Sequence, residues 1–221
     1  MRPLRVTCTA LSPIASDGHL PLDGLLADLW MRENHPDRYW GDTVRVKDDL
    51  IEADIPVAKC GRGEASYYAC SFAQATWHTV APAHWHKRST IYEQSRYVQK
   101  GTIDLSKGMN KAYRMPLFQM MPGGVLTWYV VGDENWIATR LPLLVAIGKK
   151  HSTGHGKVVN WQVKPMDEDY SLVKDGRLMR AVPVTELEPE LEHTVGHYGL
   201  RPPYWYAPHQ MTVALPVVRM G

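Results

Sequence analysis

One stretch, IGKKHSTGHGKV from Ile147 to Val158, restricts the architecture more than any other. It follows an apolar run, LPLLVAIG, and precedes a strand-like run, VVNWQV. Its twelve residues hold three glycines, three lysines, two histidines, a serine and a threonine. The order is therefore helix, glycine-rich loop, strand. A phosphate-binding P-loop needs the reverse order and the spacing GxxxxGK followed by Ser or Thr. Here Val158 follows Gly156-Lys157, and His151 stands where the first glycine would be. A dinucleotide fingerprint fails on the same order. A connection poor in side chains, rich in amide N–H groups and carrying three cations suits contact with a sugar–phosphate backbone. A plain helix C-cap would account for Gly148, but less well for Gly154, Gly156 and the basic content.

The rest of the chain supplies alternating elements. Leu4–Pro13 reads as a strand, rich in β-branched and small residues. Asp23 is placed to cap a helix with Leu25, Leu26, Leu29 and Trp30 on one face, fading at NHPD (Asn34–Asp37). Residues 55–77 read as a hairpin turning at Gly61-Arg62-Gly63. MPLFQMM, the turn PGG and VLTWYVV read as a second hairpin. Asp133 then caps a helix running toward Ile147, interrupted by Pro142. Lys174-Asp175-Gly176-Arg177 predicts a tight hairpin, because Asp-Gly favours that turn. Together these predict an α+β fold with a β-α-β-β-α-β order, the ferredoxin-like (RRM-like) split β-α-β.

Charge is local rather than global, since the net charge is only +2. Residues 78–115 carry seven bases against two acids, with Trp85, Tyr92, Tyr97 and Tyr113 among them. Bases alternating with aromatics can follow phosphates while stacking on bases; a solvated basic face is the plainer alternative. Residues 165–195 reverse the sign, with eight acids against three bases. Cys8, Cys60 and Cys70 form no CxxC pair, so neither a disulfide framework nor a structural zinc site is expected. No signal peptide and no run of about 18 apolar residues is visible, so a cytoplasmic chain without membrane attachment is expected.

A glycine, five residues and then Gly-x-Gly, between the second helix and the last strand, resembles the glycine-rich loop of the RAMP superfamily of CRISPR RNA-binding proteins. Gly148, Gly154 and Gly156 fill the three positions. The opening strand followed by PLDGLLADLW is similar to the start of such proteins. Within the superfamily the chain most resembles the subunit of type IV complexes that caps the 5′ handle of the guide RNA. The resemblance implies a ferredoxin-like domain over residues 1–165 with the basic insertion 78–115 as a hairpin thumb, and a C-terminal accessory segment over residues 166–221. It implies crRNA, filament and large subunits as partners, target DNA indirectly, and no cofactor, metal or catalytic residue. The expected RNA contacts are Gly148, Lys149, Lys150, His151, Ser152, Thr153, Gly154, His155, Gly156 and Lys157 in the loop, with Trp85, Lys87, Arg88, Tyr92, Arg96 and Lys100 in the insertion.

Two other classes remain open. His78, His84, His86, Lys87 and Arg88 supply the base and cation types that a metal-independent endoribonuclease acting on repeat RNA needs. A protein scaffold without RNA contact is the third. His193 and His197 have i, i+4 spacing but lack the glutamate of a zinc protease motif.

Overall fold

The computed structural model describes residues 1–16, 18–37, 50–87, 96, 113–122, 124–187 and 190–218. Its elements, in chain order, are β1 (Arg2–Ala10), β2 (Ile14–Ala15), α1 (Leu22–Asn34), β3 (Lys59–Cys60), β4 (Tyr67–Tyr68), β5 (Trp77–Lys87) and β6 (Tyr113–Pro122). They continue with β7 (Val125–Gly132), α2 (Glu134–Arg140), β8 (Val158–Pro165), β9 (Val173–Lys174), β10 (Arg177–Leu178), β11 (Val182–Pro183), β12 (Thr194–Gly199) and β13 (Gln210–Leu215). The class is mixed α and β, dominated by strands.

The central sheet has the order β7-β1-β8, with both pairings antiparallel. Alternation along β1 aims Leu4, Val6 and Cys8 at the core. The register sets Leu4 beside Val130, Val6 between Trp128 and Val163, and Cys8 between Leu126 and Trp161. These rows form one buried face, against which α1 and α2 contribute Leu22, Leu26, Leu29 and Ile137. Each fully buried leucine contributes about 1.5–3 kcal/mol. Trp128 and Trp161 place their N–H groups on the carbonyls of Leu20 and Leu144, at 2.9 and 3.0 Å, so neither the buried indole of Trp128 nor the half-buried one of Trp161 leaves an orphan donor. The outer edge of β7 is met by bridges from Val57, Cys70 and Gln74.

A second sheet has the order β2-β6-β5. The long β5–β6 hairpin is the stem of the basic segment, its arms in register from Thr79–Met121 to Lys87–Tyr113, with a one-residue shift before the Trp77–Pro122 pair. This corrects one expectation: MPLFQMM does not pair with VLTWYVV. The chain leaves β6 and enters the other sheet as β7, because β7 matches the core rows of β1. The hairpin at residues 59–68 is present as β3–β4, and the Lys174–Arg177 turn as β9–β10.

Two helix boundaries also differ from expectation. Asp133 does cap α2, accepting from Trp136 N at 2.8 Å, but the helix ends at Arg140 and Leu141–Leu143 form a 3-10 turn around Pro142. Asp23 is not a cap: Pro21 holds that position in α1, and Asp23 is buried one residue inside it.

Asp23 faces Arg180 from the C-terminal part, with Nη2 3.6 Å from Oδ2 and both side chains fully buried. Tyr204 donates to Asp23 Oδ1 at 2.6 Å. The Arg180 guanidinium also donates to the carbonyls of Tyr68, Cys70, Ala181 and Leu200. Full burial pushes the Asp23 carboxyl up, against the opposing pull of Arg180 and Tyr204. Beyond this clamp, the β11-β13-β12 sheet closes a smaller core of Phe72, Leu178, Ala181, Leu200 and Val213. Replacing Arg180 by methionine removes every one of these donors, and we expect a loss of about 3–5 kcal/mol in chemical denaturation. Adding Asp23→Asn should recover part of it; a cost below about 1 kcal/mol for Arg180→Met would show that the clamp is not what ties the C-terminal strands to α1.

Candidate nucleic-acid interface

The glycine loop is closed at its base by backbone hydrogen bonds on two sides. Toward the stretch before it, Ile147 N donates to Gly156 O and Val158 N to Val145 O, both at 2.9 Å. Toward the N-terminus, Lys149 N donates to Ala15 O at 2.8 Å, Gly156 N to Pro13 O at 2.9 Å and Leu11 N to Lys157 O at 2.7 Å. Ser12 Oγ donates to Gly154 O at 2.8 Å and accepts from Lys157 N at 2.9 Å. The tip, His151–Thr153, is one 3-10 turn.

These contacts decide what the glycines are for. A Cβ on Gly156 would sit 1.8 Å from the carbonyl oxygen of Ile147, and one on Gly148 would sit 2.7 Å from a methyl of Ile14 and 2.9 Å from Ala15 O. Both residues also have positive φ, 67° and 83°. Gly148 and Gly156 therefore serve the protein's own packing, whereas a Cβ on Gly154 would meet open space. Of the three glycines, only Gly154 has space beside its Cα that the protein's own atoms do not fill. Lys150, next to the tip, holds a left-handed backbone at φ 58° without being glycine, a conformation that costs on the order of 1 kcal/mol or more.

The side chains divide by exposure. Lys149, His151, Ser152, Thr153 and Lys157 face solvent, as does Gly154, while Lys150 and His155 are half-buried. Thr153 is partly committed, donating from Oγ to Lys150 O at 2.8 Å. The exposed rim thus carries cations and hydroxyls on a base locked to the core.

The two-residue strand β2 joins this loop to the basic hairpin. On one edge Ile14 pairs with Met120 and Ala15 with Gln119 of β6. On the other, Ala15 bridges Lys149. Loop and hairpin stem therefore flank one strand, and their backbones lie about 10 Å apart, two strand spacings. Sequence reading found the loop and the hairpin separately and missed Ser12, Pro13 and Ala15, which place them together. Nothing local to LSPIA signals that role.

The insertion is only partly in view. Trp85 and Lys87 lie in β5, opposite Met115 and Tyr113, with their side chains outside the described residues. Arg88, Tyr92 and Lys100 lie outside them entirely, and Arg96 is exposed. On the stem, Arg114 and His84 meet side by side, Nη2 to Nε2 at 2.9 Å. That pairing of a histidine with a cation was not legible, because it depends on the β5–β6 register.

Other features contribute no evident chemistry. Among the described residues no group of three or more His, Cys, Asp or Glu could hold a metal ion. His193 precedes β12 and His197 lies in it, so their spacing is not helical. Burial pushes the Cys8 thiol up to about 12 and Cys70 well above the usual range, so neither is a thiolate nucleophile. A cleft of about 540 Å³, lined by His19, Phe72, Trp77, Arg177 and Glu192 among others, contains no loop residue. No described helix is long and apolar enough to cross a membrane.

The family model for CRISPR type IV associated protein Csf3 matches residues 2–216. The chain belongs to the Csf3 family. It is therefore a type IV CRISPR-associated protein, in agreement with the resemblance carried by Gly148, Gly154 and Gly156. No curated protein matches the sequence. The match runs through the C-terminal strands, so residues 166–216, unplaced by the glycine-loop resemblance, are part of what Csf3 family members share with this chain.

Within this Csf3 loop the glycines should differ sharply on substitution. Gly156→Ala forces a Cβ into the Ile147 carbonyl and should cost at least about 3 kcal/mol. Gly154→Ala meets only backbone strain and should cost about 1 kcal/mol. Thermal or urea unfolding of the two variants checks the order; equal costs would contradict the zipped base.

Proposed function

We propose that this Csf3-family chain is a non-catalytic subunit of a type IV CRISPR ribonucleoprotein that holds the 5′ handle of the guide RNA and caps the protein filament. The observation that carries the reading is the strand Ile14–Ala15, with the basic hairpin on one edge and the cationic loop on the other. A single strand of RNA crossing that strand would meet Lys149, His151, Ser152 and Lys157 on one side and the hairpin on the other. Phosphate contacts fix position and orientation without reading sequence, which suits a subunit that binds one end of a constant handle. Family membership supports other CRISPR subunits as partners.

The same reading takes the core as ferredoxin-like. What supports this is the β7-β1-β8 order together with the bridges from Val57, Cys70 and Gln74 along the outer edge of β7, where a split β-α-β has its second strand. The β5–β6 hairpin is then an insertion between the second and third strands, and residues 166–221 an accessory part tied back through Arg180.

One observation favours a second reading, metal-independent cleavage of repeat RNA. His84 and Arg114 stand within hydrogen-bond distance on the exposed stem. Arg114 donates to His84 Nε2 here; turned onto a phosphate instead, the guanidinium would supply the cation and free the imidazole to act as base for a 2′-hydroxyl.

Both readings are tested on the purified chain with labelled repeat RNA in EDTA. Lys149→Glu with Lys150→Glu should weaken binding at least tenfold and reduce the slope of log affinity against log salt by about 1.4, for two lost contacts. Unchanged affinity would remove the loop from the interface. Under the capping reading no cleavage appears; specific products abolished by His84→Ala and by Arg114→Ala would establish the nuclease instead.

A further inference from the structure

The central sheet has a second face, and its composition is unlike that of the first. Residues directly opposite in antiparallel strands share a face, so the register fixes three rows on the side away from the core. Arg5 lies between Tyr129 and Lys164. Thr7 lies between Thr127 and Gln162, and Thr9 between Val125 and Asn160. These nine positions carry two cations, hydroxyls, amides and one aromatic ring, and no acid. Arg5, Asn160, Gln162 and Lys164 are exposed, and Tyr129 is half-buried. A sheet face left to water alone has no need of a positive row beside an aromatic ring.

The border of the face repeats the theme. Tyr170 meets Tyr129 edge-on with ring centroids 5.5 Å apart, and the Lys174 ammonium lies over both rings, 6.0 Å from Tyr129 and 5.3 Å from Tyr170. Two acids of that border are engaged: Asp175 pairs with Lys174 at 2.7 Å, and Glu168 accepts from the Tyr170 hydroxyl. Asp169 caps the backbone N–H of Ser171 at 2.8 Å.

We propose that this open face is a second binding surface, for single-stranded polynucleotide, with a base against Tyr129 and phosphates on Arg5 and Lys164. Charge complementarity selects the occupant: a row of cations with flanking hydroxyl and amide groups matches a chain of phosphates and sugars, and the half-buried Tyr129 ring offers a base a stacking partner. Strand spacing of about 4.8 Å sets Arg5 and Lys164 on adjacent strands, close enough to hold one backbone across the sheet. The surface is built from β1, β7 and β8 and contains no loop or hairpin residue. It shares with the reading above only the kind of ligand, so each can fail alone.

Fluorescence anisotropy on the full chain tests it, with labelled uridine RNA and thymidine DNA of about 15 nucleotides, near the upper limit of what one small domain covers. Arg5→Glu with Lys164→Glu should weaken binding about tenfold and lower the salt slope by about 1.4. Tyr129→Leu should weaken it about fivefold with the salt slope unchanged. Far-UV circular dichroism verifies that each variant is folded; the two charge variants are at exposed positions and keep the test valid if Tyr129→Leu does not fold. Loss with RNA, with DNA or with both supports the surface, and the difference names the polymer. If the Arg5/Lys164 variant binds as the unmodified chain does while Lys149→Glu/Lys150→Glu loses affinity, the face is overturned and the loop stands. The opposite pattern leaves the face standing and removes the loop. No binding of either oligonucleotide at low salt overturns the face.

Discussion

Two residues, Ile14 and Ala15, set the geometry on which the proposed polynucleotide surface depends. As β2 they complete the sheet of the basic hairpin on one edge and receive the first residues of the glycine loop on the other. The second contact is close enough to demand glycine: a side chain at residue 148 would collide with Ile14 and the Ala15 carbonyl. At residue 156 the demand is stricter, since the Ile147 carbonyl occupies the place of a Cβ. A loop that tight at its base leaves its tip little choice of position. Its cations are therefore presented on a base held by backbone hydrogen bonds, an arrangement that under the proposed reading lowers the entropy cost of binding.

The hub behind this mount is electrostatic. Arg180 and Asp23 are both fully buried, and a charge so placed is stable only if paired and hydrogen-bonded. Four carbonyls and one carboxylate supply those partners, from α1, from the segment beside β7 and from the C-terminal strands. The same interaction thus fixes the edge of the central sheet and the accessory sheet. A conventional apolar contact would hold these parts together as strongly, but it would not specify which backbone groups must meet.

What could be read from the sequence followed range. The strand runs LRVTC and VLTWYVV, the Asp133 cap, the Asp175-Gly176 turn and the helix–loop–strand order around Gly148–Gly156 are all short-range patterns, and the structure has them. The partner of β6 was misread because PGG is a strong local turn signal, whereas β7's place is set by three core rows with a strand more than a hundred residues away. Asp23 looked like a helix cap because its local context fits one. Its burial depends on Arg180, which in sequence sits in an acidic, charged stretch and gives no sign of being interior. Ser12 and Arg114 were invisible for the same reason: each acts through a residue brought to it by the fold. The structure has the glycine loop where the sequence places it, and the close approaches of Ile14 and Ala15 to Gly148 and of Ile147 to Gly156, which no local pattern announces, require glycine there.

The central claim is that the loop and the hairpin, held on either side of Ile14–Ala15, form one polynucleotide surface. Ultraviolet cross-linking of the chain to repeat RNA, followed by mass spectrometry of the cross-linked peptides, addresses it most directly. The account predicts cross-links in both residues 148–157 and residues 77–122 on the same RNA. Cross-links confined to peptides remote from both segments, with neither the loop nor the hairpin represented, would contradict it.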